Sequence, residues 1–452
     1  MSQQPELPGI PEALLADSPA GVVPTPQHAQ RIARPERTQL DFLPRCLDDS
    51  LPAEHPARAI WAVVEGLDLS GFQVGIRAAV DGPGRPASDV RVLLGLWLLA
   101  TVNGVGSARQ LARLTDEHDG YRWLRGGMPL NYHLLADFRA GHEQALSELL
   151  TKLVAVLLHR GLATLERVAQ DGLRVRASAG AGSFRRRQSL ETCLEQAQAQ
   201  VARLAAEREQ PDPGVTKRQR AARERAARER LERVQQALAD LPQLEAIKAK
   251  QRQKLAKRKR GRVAEARVST TDPAARVMKQ GDGGFRPAYN VQLVTDRDSR
   301  AILAVQVSQQ GADGGLVEPL EAQVAERSGQ RPREYLCDGG LVTREAITSL
   351  AERGVTVYAP VEPPRTETSG RSRYQPRPDD TAAVRDWRER MGTEAGQTIY
   401  RERASTAEWT NAQWRGRFGL RQVAVRGLGR VTSLVLLLAV AHNVVRMLAL
   451  GA

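Results

Sequence analysis

Cysteine is scarce in this 452-residue chain: Cys46, Cys193 and Cys337 are far apart and show no paired spacing. That argues against a disulfide framework and against a thiolate zinc site, and it suits a reducing cytoplasm. Around Met1-Ser2-Gln3-Gln4-Pro5 neither a basic n-region nor an apolar h-region appears, so no secretory signal is expected. A Gly-x4-Gly-Lys-Ser/Thr loop is also missing, and no nucleotide cofactor is expected. Long apolar runs are limited to Val90–Val105, too short to span a bilayer, and Val431–Met447, interrupted by His442, Asn443 and Arg446. Both are expected to be buried core helices, with no membrane partner.

What the chain has in excess is positive charge. Lys and Arg number 66 against 52 Asp and Glu, a net charge of +14, and the pI is about 10.2. Such a balance attracts polyanions, with nucleic acid the foremost class and anionic membrane the competitor. A hydrophobic content of 41% supports a folded protein, and the length allows two or three domains.

Residues 1–37 are rich in Pro, Gly and Ala without a sustained period, and a mobile arm is expected there. Residues 38–160 read as an all-helical domain. One helix is expected over Pro56–Gly66, and a Pro/Gly-rich loop at Asp81–Pro86 precedes the next. Ser88-Asp89 then caps the apolar helix from Val90, Ser107 caps another, and a long one closes the region from Gly141 to His159. Short helices joined by Gly turns, with Arg109, Arg122 and Arg139 along them, fit a DNA reader of the helix-turn-helix kind.

Between 185 and 266 the texture changes. Leu190, Leu194, Ala197, Val201 and Leu204 step by four and three, and so do Ala227, Leu231, Val234, Leu238 and Leu241 after the Pro211–Gly214 break. An inserted antiparallel coiled-coil hairpin is expected. It runs into Lys254–Arg262, nine residues without an acid, where Lys257, Arg258, Lys259 and Arg260 suit phosphate contact; a solvated face is the competing use.

The remainder, 161–184 and 267–452, alternates strands with helices, which predicts an α/β domain with a mixed sheet. A strand is expected from Val168 to Ala177, and Ala288–Val294 alternates at period two. Ala301–Val307 is its natural hairpin partner across Asp296–Ser299. Asp171 and Asp338 each stand in an apolar run before a glycine. Two strand-end aspartates on neighbouring strands repel, and a proton is pushed onto one of them unless a divalent cation lies between. Either Asp-Gly taken alone reads equally well as an ordinary turn. Farther on, Ile399–Arg415 predicts a helix that carries Glu408, Ala412 and Arg415 on one face, though an exposed acid on a surface helix looks the same.

In their order and spacing these stretches resemble bacterial insertion-sequence transposases of the DDE class, over roughly residues 40–450. The resemblance is carried by Asp41–Pro44 with His55–Arg58, Ser107–Leu111, Tyr121–Leu124, Asp137–Arg139 and Asp171-Gly172. It continues through Asp282–Phe285 with Ala288–Asn290, Asp338-Gly339, Glu408-Trp409, Asn411-Ala412, Arg426–Leu428 and Ala441–Asn443. It implies a ribonuclease-H-like mixed sheet with flanking helices, and metal binding and catalysis by Asp171, Asp338 and Glu408. Two Mg²⁺ ions are implied, with Mn²⁺ as a substitute. The implied partners are transposon terminal inverted repeats, target DNA and further copies of the chain, in a bacterial cytoplasm at the nucleoid. A signature on the last helix maps to Tyr400, Arg403, Glu408 and Arg415, with Arg403 and Arg415 as phosphate contacts. Its Arg-to-Glu gap is one residue longer than the commonest form, and Arg replaces Lys, so Glu402 remains a second candidate for the third acid. A catalytically inactive nucleic-acid-binding derivative and a purely hydrolytic nuclease are the alternatives.

Overall fold

The computed structural model describes residues 46–74, 87–208, 214–254, 263, 265–362 and 372–451. The expected arm, the Asp41–Pro44 motif, the loop at 81–86, the turn at 211–213 and Lys257, Arg258, Lys259 and Arg260 lie outside them. In chain order the helical region contains α1 (Pro56–Glu65), α2 (Val90–Val102), α3 (Ala108–Glu117), α4 (Asp119–Arg125), α5 (Tyr132–Gly141) and α6 (Glu143–His159). Strands β1 (Arg167–Arg176) and β2 (Phe184–Arg185) lead into helices α7 (Arg187–Ala206) and α8 (Lys217–Lys254). Then come β3 (Val268–Ser269), β4 (Arg276–Lys279), β5 (Phe285–Asp296), β6 (Ile302–Ser308), α9 (Val317–Ser328), β7 (Glu334–Leu336), α10 (Arg344–Glu352) and β8 (Thr356–Tyr358). Last are α11 (Ala382–Gly392), α12 (Glu394–Arg403), a π-helical turn (Ala404–Glu408), α13 (Trp409–Gly416) and α14 (Leu428–Ala449).

Local chemistry sets the helix starts. Asp89 Oδ1 accepts from the Arg91 N–H at 2.8 Å and Ser107 Oγ from that of Gln110 at 3.3 Å, so both expected caps are made. β1 is central in the main sheet, antiparallel to β5 and parallel to β7, which in turn is parallel to β8. β5 is also paired antiparallel with β4 and, farther along, with β6.

β5, whose sequence alternates at period two, does not alternate in burial: every residue from Pro287 to Asp296 is buried. Its polar residues are satisfied internally: Gln170 donates to Gln292 at 3.0 Å, Gln292 to Asn290 at 3.0 Å and to Asp313 at 2.9 Å, and Tyr335 to Gln170 at 2.7 Å. Polarity in this strand marks a buried hydrogen-bond network rather than solvent.

α14 is the one described helix long and apolar enough to cross a membrane by length and composition, yet it is largely buried inside the protein. It packs on α6, α5, α2 and β6. One continuous apolar cluster therefore joins Leu94, Trp97 and Leu150 of the helical region to Leu173 and Val291 of the sheet through Val435 and Ala439. The helical region and the sheet share a core.

The insertion is an antiparallel pair. Arg187 meets Glu245 at 2.6 Å, Gln200 meets Arg230 at 3.0 Å and Arg208 meets Glu224, so one helix descends as the other rises. Its base is closed by the β2–β3 ladder, with Leu190, Ala237, Leu241 and Val268 packed beneath. Seam residues Ala197, Leu204, Ala227 and Val234 are buried.

Asn443 shows what the Ala441–Asn443 stretch does in the fold. Its side chain is fully buried, accepts from the Ile302 N–H at 2.8 Å and donates to the Ile302 carbonyl at 2.9 Å, completing the backbone of β6. Asn443→Ala strands both groups and is expected to cost about 2–4 kcal/mol. Urea unfolding of the full chain measures it, and a loss below about 0.5 kcal/mol would show that water repairs the bond.

Candidate active site

Register brings the first two acids level. Val168 pairs with Tyr335 and Ala169 with Leu336, where β7 ends while β1 runs on. Two more residues along each chain give Asp171 and Asp338. Asp171 thus lies in mid-strand, opposite Leu293 of β5, and not at a strand end as the sequence suggested. What exposes it on its other side is the early end of β7. Asp338 sits in the turn beyond β7, its carbonyl accepting from the Leu341 N–H at 3.0 Å.

Asp171-Gly172 is not a turn either. A Cβ on Gly172 would come within 2.0 Å of Gln292 Nε2, so the glycine is there because the Gln292 amide crosses the strand at that point. Sequence alone carries no mark of this, since a glycine between apolar residues reads first as a turn.

The third acid arrives on the segment Glu394–Gly416. Its helix is interrupted at Ala404–Glu408 by one π-helical turn, which holds an extra residue per turn. Arg403 and Glu408, five apart and on different faces of a regular α-helix, are brought together across it at 3.4 Å. The Arg403–Glu408 interval thus contains the π-helical turn.

Arg403 is the hub. Its guanidinium lies 3.5 Å from Asp171 and 3.4 Å from Glu408, stands 5.9 Å from the Tyr400 ring centroid, and is within the electrostatic influence of Asp338. Asp171 also accepts from the Gly172 N–H at 2.8 Å and from Asn411 Nδ2 at 3.0 Å. Burial pushes the Asp171 carboxyl above the usual carboxylate range, and the negative charges of Asp338 and Glu408 add to that. The Gly172 N–H and Arg403 pull the other way.

Among the described residues, no three His, Cys, Asp or Glu side chains lie close enough together to hold a metal ion as they stand. The donor chemistry nevertheless suits a hard cation: Asp171 lies within the electrostatic influence of two further carboxylates, Asn411 Oδ1 is buried without a hydrogen-bond partner, and the neighbouring Cys337 thiol, pushed up to about 12 by burial, keeps its proton. The obstacle is the Arg403 guanidinium, whose positive charge lies against two of the acids.

Glu402 points elsewhere. It takes Arg167 at 2.7 Å and Arg297 at 2.9 Å, tying the end of α12 to the start of β1 and to the turn after β5. This double ion pair is a structural tie. Other buried acids are similarly engaged: Asp272 accepts from Tyr289 at 2.8 Å, and Asp296 from Ser299 at 2.7 Å.

The expected DNA-facing arginines divide. Arg109 and Arg122 are exposed, the first 4.9 Å from the Tyr132 ring centroid and the second 3.2 Å from Asp119. Arg415 is exposed on α13. Arg139 must be withdrawn from the set. It is 4% exposed, stacks 4.6 Å over Trp97 and donates to the Gly106 carbonyl, and burial lowers its pKa to about 10. Its charge hid that it shares a buried face with Leu135 and Phe138.

His442, on α14, is a structural histidine. Its Nε2 donates to the Arg300 carbonyl at 2.8 Å and its Nδ1 accepts from buried Trp414 at 3.3 Å, and burial lowers its pKa to about 4. It is neutral at physiological pH and links α13 to the sheet.

A raised carboxyl pKa has a definite sign in stability. Between the ordinary value and the raised one, the folded chain binds the proton more tightly than the unfolded chain. Stability therefore falls as pH rises through that window and stays lower above it. Asp171→Asn removes the penalty, so the cation-free variant is expected to melt higher than the parent at neutral pH and no higher in acid. Thermal unfolding in chelator across that range checks this; a lower neutral melting point would mean that the Arg403 and Gly172 contacts outweigh burial.

Residues 362–448 match the family model of a transposase DDE domain, and residues 45–141 match that of a transposase domain (DUF772). Together these matches support a transposase of the DDE type. Each covers less than half of the chain; Glu408 falls inside the first, and Asp171 and Asp338 outside both. No curated protein and no solved structure matches the chain.

Proposed function

We propose that this chain is a DDE-type DNA transposase with a ribonuclease-H-like sheet, which cuts at transposon ends and joins the freed 3′ hydroxyl to target DNA. The observation that supports this reading is that Asp171, on a strand, feels the charges of both Asp338, in a turn, and Glu408, on a helical segment. The sheet supports it too, with antiparallel partners on one side of β1 and parallel ones on the other.

Asp171, Asp338 and Glu408 would hold divalent cations, Mg²⁺ by preference and Mn²⁺ in substitution. Bound there, such ions lower the pKa of the attacking oxygen and offset charge on the leaving one. The chain's own residues do the rest. Arg403 neutralises Asp171 and Glu408 while the site is empty of DNA, and turns to a phosphate when DNA enters. Arg415, exposed on the same face of the segment, adds a second phosphate contact. Arg109 and Arg122, with Lys257, Arg258, Lys259 and Arg260, supply backbone contacts that fix register on the duplex. One phosphodiester is exchanged for another, so no nucleotide is consumed. Two ends must be cut and joined together, which calls for more than one copy of the chain.

Asp171→Asn, Asp338→Asn and Glu408→Gln are each expected to abolish cleavage of a plasmid carrying transposon ends while leaving end binding intact. Glu402→Gln is expected to cut. Strand-transfer products separate a transposase from a hydrolytic nuclease, and retained cutting by Asp338→Asn would remove that residue from the site. Lys257→Ala with Arg258→Ala is expected to weaken DNA binding and reduce its salt slope by about 2, roughly 0.9 for each lost phosphate contact. An unchanged slope would make the basic run a solvated surface.

A further inference from the structure

We propose that the start of α8, at the end of the insertion away from the sheet, is a docking surface for the phosphate backbone of duplex DNA, contacted without regard to sequence. The inference rests on the reading of the chain as a DNA transposase. It adds a surface distinct from Lys257, Arg258, Lys259 and Arg260, which follow the opposite end of α8 in sequence.

The insertion holds most of the chain's excess charge. Residues 185–266 contain 22 Lys and Arg against 11 Asp and Glu, so this segment carries +11 of the net +14. Six of those cations belong to the run at 254–262. A second concentration opens α8, where residues 217–230 include seven cations and two acids. Both acids are committed: Glu224 takes Arg208 of α7 and lies 3.7 Å from Arg228, and Glu229 lies 3.8 Å from Arg233. Lys217, Arg218, Arg220, Arg223 and Arg225 make no ion pair among the described residues. At the base of the insertion the pattern is the opposite, for Arg187 meets Glu245, Arg186 meets Glu265 and Arg276 meets Asp240.

Nothing in the fold asks for these five charges. Lys217, Arg218 and Arg220 stand in the first turn of α8, which has no acid, and cations there oppose the helix dipole. Lys217 with Arg220, and Arg220 with Arg223, are like charges three residues apart and repel. The buried contact of this stretch with α7 is made by Ala227, whereas Lys217, Arg218, Arg223 and Arg225 are exposed. Arg218 and Arg225, two turns apart, share an outward face on which the small exposed side chains of Ala221 and Ala222 lie between them. A strand of phosphates can reach both guanidinium groups there.

A polyanion supplies the counter-charge that the fold withholds, and the arginine fork matches phosphate oxygens bidentately. Such contacts go to the backbone and carry no base identity. Besides its cations, the stretch 217–225 contains only Gln219, Ala221, Ala222 and Glu224. It therefore has no large apolar side chain to enter a bilayer, which favours DNA over an anionic membrane.

Fluorescence anisotropy of a labelled DNA duplex of arbitrary sequence, titrated with the full chain across a salt series, tests this. Arg218→Gln with Arg223→Gln and Arg225→Gln is expected to weaken binding and reduce the salt slope by about 2.7, roughly 0.9 for each lost phosphate contact. Glutamine is a good helix former, and the three positions are exposed. Should that triple variant fail to fold, Arg225→Gln alone decides, with an expected fall of about 0.9. Arg286→Gln with Arg333→Gln and Arg344→Gln removes the same charge from arginines paired with Asp282, Glu166 and Asp379, and is expected to lower the slope by less than about 1. An unchanged slope in the α8 variant, or an equal fall in both triples, would overturn the proposal. So would unchanged DNA affinity with lost binding to phosphatidylserine vesicles, which assigns the surface to a membrane. A parental chain that binds no duplex removes the proposed function along with this surface; a binding parent with an unaffected α8 variant removes the surface alone.

Discussion

Carboxylates kept within reach of one another, one of them largely shielded from water, resist ionising together. The fold nevertheless keeps Asp171 within the electrostatic influence of Asp338 and Glu408, its side chain only 24% exposed. Two features enforce this. β7 stops early, so β1 carries Asp171 past the end of its parallel neighbour, and the π-helical turn rotates Glu408 toward the same edge. The guanidinium of Arg403 offsets part of the resulting repulsion from within the chain, and Tyr400 supports that guanidinium from one side.

The region around this edge is held stiffly. α14, apolar on almost every face, locks the helical region to β6, and its two polar residues in mid-helix are both committed to the backbone of the turn and strand beside them. Trp414 reaches His442 from α13, so the segment that bears Glu408 and Asn411 is tied to the sheet at a point just beyond those residues. The double ion pair of Glu402 ties it on the near side. Between these two anchors lies the π turn, the least regular part of the segment and the part that carries Glu408.

Much of the architecture was legible because it follows from local pattern: caps at Asp89 and Ser107, hydrophobic stepping in α7 and α8, and the apolar strand runs on which β1 and β7 lie. What escaped depends on contacts between distant residues. Gly172 looks like a turn glycine until Gln292 is laid across it. Arg139 looks like the exposed Arg109 and Arg122 until Trp97 is found beneath it. Asn290 and Gln292 alternate with apolar residues, and alternation cannot distinguish water from a buried amide network. Nothing in the local pattern of Ile399–Arg415 marks the π-helical turn at Ala404–Glu408.

The paired helices of the insertion give the molecule reach. From the level of the Arg187–Glu245 contact to Lys217 is 28 residue steps, about 42 Å at 1.5 Å each, and this exceeds one turn of B-form DNA at about 34 Å. The arm is rooted in a ladder of two residues per strand, a small apolar cluster and the Arg276–Asp240 ion pair. A tilt of ten degrees at that root sweeps the far end through roughly 7 Å, on the order of two base-pair steps. A long lever on a narrow pivot turns small adjustments near the sheet into displacements on the scale of the double helix.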